Sequence, residues 1–166
     1  FSDLTKADSL SRALDIKPSI LSTYLAWQPK GAQRFPHEYF HKIYERQAYP
    51  MITWEPWLQN FPQYDSAQSS MLQISAGMYD QYLRSMAENF KALNKPVFIR
   101  FAHEPDNPYY PWYSAEDQAA SNYIMAWRYV HRFMQNQGVR NLIWVFNPWD
   151  DKAATSYYPG DAYVDW

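Results

Sequence analysis

The sequence predicts an α/β fold with a parallel sheet and, among such folds, favours the closed (β/α)8 barrel. Three observations carry this. Short apolar runs alternate with longer amphipathic runs of helical period, which is the rhythm of βαβ units. Each apolar run ends in aromatic or polar, mostly ionisable residues: Trp27; Trp54 and Glu55; His103 and Glu104; Asn147 and Trp149. A barrel enzyme carries its chemistry at those strand ends. Finally, the chain has only 4 glycines and nothing resembling GxGxxG or a P-loop, which argues against a nucleotide-binding open sheet.

Taken in order, residues 5–14 predict a helix with Thr5 or Asp8 as N-cap and Leu10, Ala13 and Leu14 on one face. Pro18 closes the connection. Ile20–Trp27 (ILSTYLAW) predicts a strand, followed by the turn residues Pro29, Lys30 and Gly31. A second helix is expected over about His37 to Gln47 with Phe40, Ile43 and Tyr44 inward, and then a strand over 50–54 that runs into Glu55-Pro56-Trp57. Residues 58–76, rich in Gln and Ser, predict a long polar loop of the substrate-facing kind. From Gly77 to Asn94 the spacing of Tyr79, Leu83, Met86, Phe90 and Leu93 predicts a helix.

Residues 96–113, PVFIRFAHEPDNPYYPWY, are the centre of the chain. Pro96 to Ile99 reads as a buried strand that turns polar at Arg100, His103 and Glu104. Loop formers follow, and then four aromatics within five residues: Tyr109, Tyr110, Trp112 and Tyr113. Such charges are expensive to bury at a strand end unless they pair or work. The competing reading is an Arg100–Glu104 ion pair with the aromatics in the core. Beyond this stretch, Ser114 with Asp117 predicts a capping-box start. Tyr123, Trp127, Val130 and Met134 form the stripe of that helix, and Gly138 ends it. Asn141–Phe146 predicts a fourth strand, and Tyr163–Trp166 the start of a fifth.

At 166 residues with 47% hydrophobic content, one domain with a core is expected. A net charge of −2 gives no reason for nucleic acid or an anionic membrane as partner. No apolar run is long enough to span a bilayer, and no signal peptide opens the chain. The start at Phe1 rather than Met predicts processing or truncation. With no Cys, 4 His and no HExxH, neither a disulfide nor a zinc site is expected, and no cofactor is implied. The aromatic share of 19% suits the apolar faces of pyranose rings, although a tightly packed core would look the same.

The ordered set TYLAW, MITWEPW, RFAHE with YYPW, and NLIWVFNP leading to YYPGDAYVDW resembles glycoside hydrolase family 26, the β-mannanases with some related β-glucanases and β-xylanases. The resemblance covers nearly the whole chain. It implies a (β/α)8 barrel hydrolysing β-linked polysaccharide with retention through two glutamates. The family's acid/base Glu follows a His at the end of the fourth strand, which matches His103-Glu104. The strands here then become the second to the sixth of a barrel that takes about 250 residues, with the first before Phe1. The nucleophile, from the seventh strand, falls outside this chain. One departure is the loop after HE: the family continues with a residue, Asn-Gly and a Trp, where this chain has Pro105-Asp106-Asn107-Pro108-Tyr109-Tyr110-Pro111-Trp112.

In a retaining glycosidase one carboxyl protonates the departing oxygen while a second, about 5–5.5 Å away, attacks the anomeric carbon. Glu104 is the expected acid/base and His103 its catalytic companion. Arg100, Trp54, Glu55, Tyr110, Trp112, Asn147 and Trp149 are the expected substrate contacts, with Trp54 and Trp112 as stacking platforms. Were the chain complete, the second carboxylate would come from Glu55, Asp106, Asp150 or Asp165. The expected partner is a polysaccharide or oligosaccharide, β-1,4-mannan first, and secretion follows from that substrate class. The oligomeric state is not readable. Two alternatives stand: a non-catalytic carbohydrate-binding protein with an aromatic cleft, and a β-1,3/1,4-glucanase or xylanase of the same fold.

Overall fold

The computed structural model describes residues 4–29, 31 and 34–166; of the expected turn, Lys30 lies outside them. Four strands, β1 (Ile20–Ala26), β2 (Tyr49–Glu55), β3 (Val97–Phe101) and β4 (Leu142–Trp144), form one sheet in the order β1-β2-β3-β4. All neighbouring pairs are parallel. Helix α1 (Thr5–Leu14) precedes β1; α2 (His37–Glu45), α3 (Ser70–Ser75), α4 (Asp80–Leu93) and α5 (Ala119–Asn136) lie between the strands, and α6 (Asp151–Ser156) follows β4. None of these helices is long and apolar enough to cross a membrane.

The two faces of the sheet differ, and period-2 alternation explains how. The register pairs Leu25 with Trp54, Trp54 with Phe101 and Ile52 with Ile99. These side chains share the face that packs on the helices, and all are buried. Trp27, Trp54, Phe90, Phe101 and Trp127 form its centre, with ring centroids 5.0–5.9 Å apart along the pairs Trp27–Trp54, Trp54–Phe90, Trp54–Phe101 and Phe101–Trp127. The opposite face pairs Tyr24 with Thr53 and Thr53 with Arg100. Thr53 is buried there, while Tyr24 is 55% exposed. In a closed barrel this face would look inward.

Local chemistry sets most element ends. Asn94 closes α4 in the left-handed conformation at φ 48, which Asn tolerates. Gly138, at φ 79, turns the chain out of α5 as expected. Phe40, Ile43 and Tyr44 are the buried face of α2, and Tyr123, Trp127, Val130 and Met134 are buried in α5, also as the spacing predicts.

Four expectations are corrected. The predicted apolar face of α1 is not buried: Leu10 and Leu14 are 54% and 56% exposed, and the helix begins behind Leu4 with no capping side chain. It is tied to α2 by the Arg46–Asp8 ion pair at 2.7 Å. Residues 58–76 are not a simple polar loop. Met71 and Ile74 bury one side of α3, and Gln73 is buried with its amide donating to the carbonyls of Asp65 and Gln68. Ser114 makes no capping box; its hydroxyl takes the Glu116 N–H and α5 starts only at Ala119. Finally, Tyr163–Trp166 forms no regular strand, yet it runs along β4: Trp166 N–H donates to the Trp144 carbonyl at 3.0 Å, and Phe146 N–H to the Trp166 carbonyl at 2.9 Å. A short helix, α6, follows β4; Asp150 caps it by accepting the Lys152 N–H at 2.9 Å.

Candidate active site

The carboxyl ends of β2, β3 and β4 converge on one cluster. Arg100 on β3 is its polar hub. Its Nε and Nη2 donate to Thr53 Oγ1 on β2 at 3.0 and 2.6 Å, and its Nη1 donates to Asn147 Oδ1 after β4 at 3.2 Å. Among the described residues the one salt bridge joins Arg46 to Asp8. The Arg100–Glu104 ion pair of the competing reading is therefore not formed.

Beyond Phe101 the chain leaves the sheet by an unusual path. Ala102 and Glu104 both have left-handed backbones, at φ 41 and φ 50, which cost of order 1–2 kcal/mol per residue for an L side chain. The detour breaks the alternation of the strand. His103, which a straight strand would aim at the helices, instead meets Tyr24 from the open face, with ring centroids 5.9 Å apart. Hydrogen bonds hold the path in place. Ala102 N–H donates to the Trp54 carbonyl at 3.1 Å, and Glu104 N–H to the Asn147 carbonyl at 2.6 Å. The Glu104 carboxylate is half-buried and accepts from Asn107 Nδ2 at 2.8 Å.

An aromatic wall backs His103. Tyr110 lies 4.5 Å from its ring, centroid to centroid, and stacks on Trp112 at 4.5 Å with an 8° interplanar angle. Trp112 Nε1 donates to the His103 carbonyl at 2.8 Å. His103 is 2% exposed, and neither ring nitrogen has a partner among the described residues. Its pKa is pushed down to about 4, mainly by burial and then by the Arg100 charge, with Glu104 opposing. The ring is therefore neutral at ordinary pH, with one donor and one acceptor nitrogen.

A prediction follows for stability. Between the unfolded value of about 6.5 and the folded value of about 4, the unfolded chain binds the proton and the folded chain does not. The contribution from His103 is fully present above about 6.5 and is lost as the pH falls toward about 4. His103→Gln should flatten the decline in Tm across that window. A histidine-resolved NMR titration should show this imidazole neutral at pH 6; an imidazolium there would refute the assignment.

Glu55, at the end of β2, is buried beside this group and accepts from Trp57 Nε1 at 3.2 Å. Burial pushes its carboxyl above the usual range, against the Trp57 hydrogen bond and the Arg100 charge.

The structure thus brings Arg100, His103, Glu104, Tyr110, Trp112 and Asn147 together, with Glu55 at their edge. Two expected stacking platforms are corrected. Trp54 is fully buried on the helix face, where its Nε1 donates to Tyr82 Oη at 2.9 Å, and no sugar can reach it. Trp112 is 3% exposed and serves as backing for Tyr110. Trp149 is 62% exposed on the loop after β4. Asp106, Asp150 and Asp165 are engaged with backbone N–H groups. Tyr24, Thr53 and Asn107 join the site without having been expected. Tyr24 and Thr53 were accessible to sequence reading, because each alternates with a buried neighbour. Among the described residues no cluster of His, Cys, Asp and Glu could hold a metal ion.

Parallel strands with helical crossovers, and a carboxylate-bearing cluster at the carboxyl end of the sheet, define part of a (β/α)8 barrel of the glycoside hydrolase kind. The chain belongs to glycosyl hydrolase family 26, whose sequence profile matches residues 45–166. It is 33% identical to endoglucanase H of Acetivibrio thermocellus over 158 residues, which cover 90% of this chain and 16% of that protein. It is 40% identical over 77 residues to mannan endo-1,4-beta-mannosidase A and B of Caldalkalibacillus mannanilyticus, covering 42% of this chain and 15% of the relative. The fold matches that of a family 26 β-mannanase from Bacteroides ovatus with a TM-score of 0.62 at 17% identity, over 88% of this chain and 50% of that one. The GH26C protein of Muricauda sp. MAR_2010_75 matches with a TM-score of 0.65 at 18% identity, over 88% and 48%. The chain therefore spans about one sixth of these curated relatives and about half of these solved structures.

Proposed function

We propose that this chain carries the acid/base half of a glycoside hydrolase site acting on a β-linked polysaccharide, β-1,4-mannan first. The observation that carries the reading is the placement of Glu104. It sits half-buried at the carboxyl end of β3, on a left-handed backbone, beside a neutral His103 and the Tyr110–Trp112 stack. In this reading the Glu104 carboxyl gives its proton to the glycosidic oxygen as the C1–O bond breaks. A second carboxylate, outside these 166 residues, attacks C1 from the opposite face. Glu104, now ionised, then takes a proton from the water that releases the sugar with its configuration retained.

Each remaining residue has a part. Asn107 holds one Glu104 oxygen and leaves the other for the substrate. His103 offers a donor and an acceptor to a hydroxyl or to the attacking carboxylate. Arg100 and Asn147 fix the strand end, and Tyr110 presents a ring to the sugar. Polymers of this kind cannot enter the cell, so a secreted protein fits the reading.

A second substrate is favoured by the endoglucanase H match, which covers more of this chain than the mannosidase match does. The test is direct: the native protein is incubated with β-1,4-mannan and with mixed-linkage β-glucan, and the anomer first released is followed by NMR. Release of the β-anomer from mannan supports the reading, and release from glucan alone moves it to a glucanase. Binding without release would make the protein a carbohydrate-binding one.

A further inference from the structure

The geometry points to Asp106 as the positioning residue that sets Trp149 at the mouth of the cleft as a platform for a pyranose ring of the β-linked chain. The inference rests on the proposed function. Asp106 lies two residues beyond Glu104, and its two oxygens take two consecutive backbone N–H groups of the loop after β4: Trp149 N–H on Oδ1 at 2.8 Å and Asp150 N–H on Oδ2 at 2.9 Å. Hydrogen bonds to an ionised acceptor are the strong, directional ones. Asp150 in turn caps α6, so the grip passes into a helix. Closer to the sheet, the Glu104 N–H bonds the Asn147 carbonyl, and Arg100 bonds its side chain. The loops after β3 and β4 are thereby joined at three levels, from the strand ends outward.

Trp149 itself is not held by the core. Its ring is 62% exposed, and the residue is fixed through its backbone. An exposed indole on a pinned loop pays little ordering entropy when a sugar arrives, which is the advantage of preorganisation. Across the same junction Tyr109 is 87% exposed, its N–H taken by Asn107 Oδ1 at 3.0 Å. Two open rings thus stand on a pair of mutually fastened loops. A flat ring with a polar edge suits the C–H face of a pyranose.

The test uses the native protein in a Glu104→Gln background, so that turnover is slow, with mannohexaose and cellohexaose as probes in calorimetric titration. Asp106→Asn keeps one acceptor but turns an N–H donor toward the second backbone N–H. It should weaken binding about two- to tenfold, the range of one aromatic contact. Trp149→Ala should weaken it equally, and the double variant no further. In the active protein the same changes should raise KM for the polymer and leave kcat unchanged. Binding as in the parent by either single variant, or additive losses in the double, would overturn the inference. Trp149→Ala, a surface change, can still overturn the inference by binding as the parent does, even if Asp106→Asn folds poorly. Failure of the parent to bind either hexaose would instead remove the proposed function beneath it.

Discussion

Glu104→Gln in the native protein should lower kcat on unactivated β-mannan by about a hundred- to ten-thousandfold, the usual worth of a positioned proton donor. The glutamine keeps the shape and the Asn107 neighbourhood but has no proton to give. The size of the effect should depend on the leaving group. An aryl glycoside that departs as a stable phenolate needs no acid, so the first step should run at close to the parent rate. The second step, which needs Glu104 as base, should then stall, and a burst of phenolate should precede slow turnover. With Glu104→Ala, azide should restore turnover by attacking C1 as the bond to the second carboxylate breaks, giving a β-glycosyl azide. Unchanged kcat on mannan with Glu104→Gln, or the absence of a phenolate burst with the aryl glycoside, would show that this carboxyl does not move the proton.

The second large effect concerns stability. Trp54→Ala should destabilise the fold by about 3–5 kcal/mol, the cost of removing a buried large aromatic. Its ring is fully buried among Trp27, Phe90 and Phe101. Truncation leaves a void there and strands the Tyr82 hydroxyl that accepts its N–H. Trp54→Phe should cost less, with loss of that hydrogen bond contributing about 1 kcal/mol. Urea unfolding measures both, and the molecules that stay folded should keep the parent KM. A Trp54→Ala protein of parental stability that binds sugar weakly would return this residue to the cleft.

These two residues mark where sequence reading succeeds and where it stops. The position of Glu104 could be read because an apolar strand that suddenly turns ionisable has few structural explanations. Trp54 was misplaced because its nearness to the strand end was weighed above alternation. Ile52 and Trp54 share one parity and Thr53 and Glu55 the other, so the pattern itself assigns the Trp to the helices. Helix α3 was overlooked because Gln and Ser outnumber Met71 and Ile74, and the apolar spacing of a six-residue helix is too short to stand out. Nothing local signals the grip of Asp106 on residues 149–150. It exists only because parallel pairing sets two strand ends side by side, 43 residues apart in sequence.

The backbone at Ala102 sets a boundary on variation. With φ at 41 and no exposed surface, this position tolerates glycine and rejects Val, Ile or Thr, whose branched Cβ cannot enter the left-handed region cheaply. In a saturation library, residue 102 should score as intolerant although it offers the sugar no functional group. Its role is to aim the two side chains that follow, and reshaping specificity by redesign would succeed by leaving that peptide alone and altering the rings on the loops above it.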